Sequence, residues 1–165
     1  MKKAIALLLA LVMVFALCAC GGGDKGTADN GEKVVKIGVF EPASGDSGAG
    51  GKKEMLGMQY ANQETPTVEI GGETYKVELV YSDNGSDSAK AVSAASKLVN
   101  EKVSLVLGSY GSGVSIAASD TFKQAGIPAI GVTCTNPNVT AGNSHYFRIC
   151  FLDPFQGTVL SLIHI

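Results

Sequence analysis

Positive charge is scarce in this sequence of 165 residues. It holds 13 basic side chains against 15 acidic ones, for a net charge of −2, and Arg148 is its only arginine. Proteins that bind nucleic acids present a strongly basic face, so this balance argues against that class of partner. Bidentate recognition of phosphate groups, for which arginine is the favoured side chain, is also poorly supported.

Metal-ligand patterns are missing from the sequence as well. The four cysteines form no C-x-x-C pair, and His145 and His164 complete no zinc spacing. Cys134 and Cys150 could form a disulfide in an oxidising compartment, but two small apolar side chains are the simpler interpretation. We therefore expect neither a metal nor another cofactor.

A long hydrophobic run occurs only at the amino terminus. Two lysines precede an apolar stretch at residues 4–17, and small residues follow it, which is typical of a secretory signal. The stretch is shorter than the roughly 20 apolar residues that span a membrane. Its end, LCAC up to Cys20, resembles a bacterial lipobox. This resemblance implies a signal peptide over residues 1–19 and a lipid on the Cys20 sulfur.

The residues that follow the lipobox lack apolar side chains. Residues 20–33 are rich in glycine and polar groups, which predicts a flexible tether. A plain secretory signal with an incidental cysteine is the alternative. Both interpretations predict an extracytoplasmic protein, and the lipobox adds a lipid anchor to the cell membrane.

From residue 34 onward the hydrophobic pattern alternates between strands and helices. Strands are predicted at residues 34–40, 67–70, 73–81, 103–107, 127–132 and 145–149, and helices at residues 52–64, after a cap at Ser86 or Asp87, from Val114 to about Ala125, and from Asp153. Gly71-Gly72 is a hairpin signal between the second and third strands. The alternation indicates an α/β fold, a parallel sheet with helices on both faces.

The stretch at residues 103–120 joins a strand, a Gly/Ser turn and a helix. Free backbone N–H groups and the positive end of the helix dipole favour an anion at such a turn, which is also where open α/β sheets bind ligands. A second polar turn with Thr135 follows the next strand. Because consecutive parallel strands usually lie side by side, Ser112 and Thr135 are predicted to face one crevice. By spacing alone, Ser112 is better explained as an N-cap.

An ordered series of short motifs extends between residues 35 and 160. Its members are Ile37-Gly38-Val39, Tyr81-Ser82-Asp83, Lys97-Leu98-Val99, Gly126-Ile127-Pro128, Thr135-Asn136-Pro137, Phe147-Arg148, Asp153-Pro154 and Gln156-Gly157. The series resembles the leucine/isoleucine/valine-binding proteins, type I periplasmic solute-binding proteins of ABC transporters. The resemblance implies that residues 34–160 form the first lobe of a two-lobe fold. It also implies a small, aliphatic amino acid as ligand, a membrane permease as partner, and no catalysis.

The resemblance also implies roles for four residues. The Ser112 hydroxyl and the backbone of Tyr110 would bind the ligand's carboxylate. The Thr135 hydroxyl would bridge carboxylate and ammonium, and the Thr133 carbonyl would accept from the ammonium. Neutral hydroxyls together with a helix dipole suit a zwitterion, since they bind an anion without a buried fixed charge.

Two departures from the family's pattern stand out. Gly50 occupies a position where the family often has an aromatic residue that packs on the ligand, which leaves the ligand's size and side-chain class open. The sequence also stops soon after the fourth helix of the first lobe. We therefore expect a truncated product whose second lobe is absent, with residues 161–165 as a tail of doubtful origin.

Two functions of other classes remain as alternatives. A lipid-anchored sensor that feeds a receptor would share every feature of the transporter interpretation. A secreted serine hydrolase would use Ser115, in a Gly113–Ala117 segment close to G-x-S-x-G, with His145 as base. That segment ends in alanine and no orienting acid is evident, so the hydrolase ranks lower.

Overall fold

The computed structural model describes residues 32–163, so the predicted signal peptide, most of the tether and Cys20 lie outside the described residues. Within this range the chain forms one six-stranded sheet and four α-helices. The strands are β1 (Val34–Glu41), β2 (Thr67–Ile70), β3 (Glu73–Asp83), β4 (Leu105–Leu107), β5 (Ala129–Gly131) and β6 (Tyr146–Arg148). The helices are α1 (Gly48–Glu64), α2 (Ser88–Asn100), α3 (Ser112–Gln124) and α4 (Asp153–Ile163), with a 3₁₀ turn at Pro137–Val139.

The sheet is parallel except at one edge. Its order is β2-β3-β1-β4-β5-β6, and only β2 runs antiparallel to its neighbour. Gly71 and Gly72 make the turn of that hairpin, both at positive φ (62° and 82°), which glycine adopts readily. β4 lies beside β5, with Leu107 opposite Ile130, as predicted for consecutive parallel strands.

Helices α2 and α3 pack together on one face of the sheet and bury the main core there. Phe40, Leu98, Val106, Ala118 and Phe122 are almost completely buried in it. The rings of Phe40 and Phe122 meet edge to face, with their centroids 5.5 Å apart. This cluster fixes α3, and therefore the turn at its amino terminus, against the sheet.

Helix α1 covers the other face only in part. A groove of about 510 Å³ remains between α1 and the sheet, lined almost entirely by apolar atoms. Its walls include Met58 and Ala61 from α1 and Ile37, Leu79 and Leu107 from the strands. The predicted fold class is confirmed, with helices on both faces of a mostly parallel sheet.

Several element boundaries differ from the predicted ones. Helix α1 begins at Gly48, not at residue 52. The glycines of its first turn conceal the helix in the sequence, but the structure requires them: a Cβ on Gly51 would lie 2.2 Å from the Pro42 carbonyl oxygen. Helix α4 continues through residue 161 to Ile163, with no break at the predicted start of the tail.

Residues 32–163 contain neither a candidate membrane-spanning helix nor a candidate metal-binding cluster. None of the helices within residues 32–163 is long and apolar enough to cross a bilayer. The same residues contain no cluster of three or more histidine, cysteine, aspartate or glutamate side chains arranged to hold a metal ion.

Candidate functional site

Two turns meet at the carboxyl edge of the sheet, one after β4 and one after β5. Ser112 is the first residue of α3, and Gly111 is the N-cap, so the predicted N-cap role of Ser112 is wrong. The Ser112 hydroxyl instead accepts a hydrogen bond from the Asn136 N–H at 3.3 Å. Since Asn136 follows Thr135, the structure brings the Ser112 and Thr135 turns together, as the strand order predicts.

The other two predicted residues join the same pair of turns. The Thr133 hydroxyl lies 3.4 Å from the carbonyl oxygen of Tyr110. The carbonyl of Thr135 accepts from the Asp153 N–H at 3.1 Å, while its hydroxyl makes no hydrogen bond within residues 32–163. The four predicted residues therefore form one cluster, in which the half-buried Thr135 hydroxyl is available to a ligand.

The amino terminus of α3 is suited to an anion. Gly111, its N-cap, has no side chain to accept from the first backbone N–H groups, and the first turn contains no acidic residue. These N–H groups and the helix dipole produce a positive potential without any ionised side chain. A carboxylate at this turn would therefore find donors that the protein leaves unsatisfied.

The chain's only arginine is occupied in shaping the turn after β5. Arg148 donates hydrogen bonds of 2.9–3.1 Å to the carbonyl oxygens of Cys134, Asn136 and Pro137, and one of 2.8 Å to the Thr140 hydroxyl. Four hydrogen bonds leave the guanidinium little capacity for a ligand. Its role is to hold the turn that carries Thr133 and Thr135.

The ring of Tyr110 occupies the space that a side chain at position 50 would need. A Cβ on Gly50 would lie 2.5 Å from the ring, closer than any real contact allows. Tyr110 as a residue is 42% exposed. The turn after β4 thus places an aromatic ring against position 50.

Two glutamates beneath the turns were missed by the sequence analysis. Glu41 ends β1 and is 1% exposed, and its carboxylate accepts from the Tyr110 N–H at 2.8 Å. Glu54 of α1 accepts a short hydrogen bond from the Thr133 hydroxyl. Burial, the hydrogen bond that a protonated Glu41 can donate to Glu54, and the charge of Glu54 raise the pKa of Glu41 to about 9. The sequence feature that could have revealed Glu41 is a carboxylate placed directly after an apolar strand.

The groups of the hydrolase alternative do not meet. The Ser115 hydroxyl is completely buried and donates to the Gly111 carbonyl at 3.0 Å. The His145 ring contacts the hydroxyl of its neighbour Ser144.

Cys134 and Cys150 are both free thiols. Burial, followed by the charge of Cys150, raises the pKa of Cys134 to about 11.

Comparison with known proteins gives one consistent family. The sequence profile of the periplasmic binding proteins matches residues 34–157. The Leu/Ile/Val-binding protein homolog 2 of Brucella abortus is 34% identical over 149 residues, which is 90% of this chain and 38% of that protein. The chain therefore spans well under half the length of this relative.

Solved structures agree with the sequence matches. The leucine-binding protein LivK of Thermotoga maritima is 37% identical, with a TM-score of 0.73 over 79% of this chain and 36% of that one. The branched-chain amino acid transporter substrate-binding protein LivJ of Streptococcus pneumoniae, solved with isoleucine, is 34% identical, with a TM-score of 0.70. It aligns with 78% of this chain and 37% of its own.

Proposed function

Because this chain belongs to the periplasmic binding protein family, we propose that the full-length protein is the substrate-binding component of an amino-acid ABC transporter. It captures its ligand outside the cytoplasm and delivers it to a membrane permease. The observation that carries this proposal is the cluster of Ser112, Thr135, Tyr110 and Thr133 at the uncapped start of α3.

The chemistry of the cluster suits the backbone of an amino acid. The ligand's carboxylate meets the α3 N–H groups and the Ser112 hydroxyl. Its ammonium meets acceptor oxygens, namely the Thr133 carbonyl and the Thr135 hydroxyl, and the Tyr110 N–H is unavailable because Glu41 accepts from it. Tyr110 therefore contributes its carbonyl oxygen and its exposed ring.

A small aliphatic amino acid is the ligand class we propose. Tyr110 is exposed and offers an apolar ring surface beside the cluster, which suits an aliphatic side chain. The relatives named for leucine, isoleucine and valine are consistent with this class.

Calorimetric titration of the full-length protein with a panel of L-amino acids tests the proposal. We expect binding of branched-chain or other aliphatic members, and no turnover. If only an aromatic acid or a sugar gave binding heat, the proposed ligand class would be wrong. No heat with any solute, together with hydrolysis of an ester, would contradict the binding function itself.

We further propose that Cys20 bears a lipid that anchors the protein to the outer face of the cell membrane. Residues 20–33 would act as the tether between the lipid and the binding domain. A sensor that feeds a receptor would use the same anchor and the same ligand cluster. Deleting the gene separates the two roles: loss of amino-acid uptake supports transport, whereas unchanged uptake with a lost response supports sensing.

A further inference from the structure

Two carboxyl groups, that of the buried Glu41 and that of the half-buried Glu54, lie directly beneath the candidate ligand cluster. Within residues 32–163, Glu41 Oε1 and Glu54 Oε2 are buried oxygens that receive no hydrogen bond from any donor group of the protein. The other oxygen of each carboxylate does accept a hydrogen bond, in Glu41 from the Tyr110 N–H and in Glu54 from the Thr133 hydroxyl. Buried polar atoms are rarely left without a partner, so the two remaining oxygens require an explanation.

Both carboxyl groups meet at the backbone of Tyr110: Glu41 accepts from its N–H, and Glu54 accepts from the Thr133 hydroxyl, which lies 3.4 Å from the Tyr110 carbonyl oxygen. Two ionised carboxylates cannot hydrogen-bond to each other, because both would be acceptors and their charges would repel. A single proton between the two unpartnered oxygens satisfies both at once. The pair then holds one net negative charge instead of two.

We propose that Glu41 and Glu54 share one proton, and that this proton ties the turn at Tyr110 to the turn at Thr133. Glu41 holds the first turn through the Tyr110 N–H, at 2.8 Å, and Glu54 holds the second through the Thr133 hydroxyl. The chain of contacts thus runs from β1 and α1 to both turns that carry the predicted ligand contacts. Glu41 and Glu54 are positioning residues, since neither is placed on the ligand.

The surroundings of the pair favour retention of the proton. Glu41 faces Glu54 from α1, the backbone of the β4–α3 turn, and the phenol of Tyr146 from β6. The Tyr146 hydroxyl donates to the Gly108 carbonyl at 2.7 Å, and burial raises the Tyr146 pKa, so this phenol stays neutral. Within the described residues neither glutamate forms a salt bridge, so no cation stabilises the doubly ionised pair.

The raised pKa of Glu41 sets the direction of the pH dependence. The proton is present at neutral pH and is lost as the pH rises through about 9. Above that pH the two carboxylates repel each other, and the link between the turns is broken. We therefore expect the turns to loosen, and ligand affinity to fall, at alkaline pH.

Carbon-13 NMR of the glutamate carboxyl groups tests the shared proton on this chain without any ligand. We expect one glutamate resonance that titrates in the alkaline range and disappears in Glu41→Gln. Glu69→Gln, which alters an exposed strand residue, is the matched control and should leave the alkaline resonance in place. If every glutamate titrates near its usual pKa, the shared proton does not exist.

Hydrogen exchange of the Tyr110 amide tests the link between the turns. In the unmodified chain its protection should fall with the same midpoint as the carboxyl titration. In Glu41→Gln the side-chain amide donates to Glu54 and its carbonyl still accepts from Tyr110, so protection should persist to higher pH. Glu54→Gln provides the same readout if the first variant does not fold. Protection that follows the same pH course in all forms would overturn the positioning role.

The consequence for ligand affinity rests on the proposed function. Calorimetry with L-leucine at neutral and alkaline pH should show an affinity loss in the full-length protein that exceeds the loss in Glu41→Gln by at least about fivefold. The comparison is needed because the ligand's own ammonium loses its proton at alkaline pH. Equal losses would contradict the coupling to the ligand site. No binding at any pH would contradict the proposed function, while the NMR result would still stand.

Discussion

At the scale of single residues, the candidate site relies on hydroxyl groups and backbone atoms. Ser112 and Thr135 come from different turns, yet one hydrogen bond from Asn136 to Ser112 joins those turns. The hydroxyl of Thr135 has no partner within residues 32–163, so a ligand would not need to displace an existing bond. Each hydroxyl can therefore be tested separately.

In the full-length protein, Ser112→Ala and Thr135→Ala should each weaken amino-acid binding by about 1–3 kcal/mol, because each removes a hydrogen bond to a charged ligand group. Calorimetry measures the change. Ser93→Ala is the matched control, since its exposed hydroxyl bonds only to the Lys90 carbonyl of its own helix. If the control and the two site variants bind equally well, these hydroxyls do not contact the ligand.

At the scale of elements, helix α2 shows how local sequence determines a boundary. Asp87 adopts extended backbone angles, and its carboxylate accepts from the Ala89 N–H at 2.7 Å and the Lys90 N–H at 3.4 Å. The buried face of the helix then packs Ala91, Ala95 and Leu98 against the sheet. Cap and apolar stripe thus specify the same helix.

Asp87→Ala should lower the free energy of unfolding by about 1 kcal/mol, because two amide groups at the start of α2 lose their acceptor. Urea denaturation of this chain followed by circular dichroism measures the difference. Asp120→Ala, on the exposed side of α3 and away from its first turn, is the control and should have little effect. Equal stability of the two variants would show that the cap contributes nothing.

The elements also show which features could be predicted from sequence. Three elements were predictable because each depends on a local preference. The apolar pattern predicts β1, the cap residue predicts the start of α2, and the Gly-Gly turn predicts the β2–β3 hairpin. The start of α1 was not predictable, because its glycines are explained by three-dimensional contacts: Gly51 lies against the backbone of Pro42, and Gly50 lies against the ring of Tyr110, 60 residues away. Glu41 was missed for a similar reason: its burial depends on α1 and on the turn after β4.

At the scale of the whole molecule, the folded domain and the proposed membrane anchor lie in separate parts of the sequence. The sheet and its helices form from residue 34 onward, whereas the proposed lipid site is Cys20. The glycine-rich, polar sequence of residues 20–33 predicts a tether, which would let the domain move relative to the membrane. Anchoring and ligand binding should therefore be separable by mutation.

Cys20→Ala should abolish incorporation of a labelled fatty acid in a bacterial host and leave uncleaved precursor. The reason is that the proposed lipid is attached through this sulfur, which alanine lacks. Cys18→Ala, two residues earlier, is the control and should still be labelled. Labelling of the Cys20 variant at the normal level would rule out Cys20 as the anchor.

The four hydrogen bonds of Arg148 have a consequence for the environment in which the protein works. Because the lone guanidinium is directed at carbonyl and hydroxyl oxygens of its own turn, the proposed site attracts its ligand through dipoles at short range. Dissolved ions screen attraction between distant charges much more than contacts made at hydrogen-bond distance. Capture of a zwitterion by this cluster should thus vary little with ionic strength, which would suit the extracytoplasmic binding role proposed for the protein.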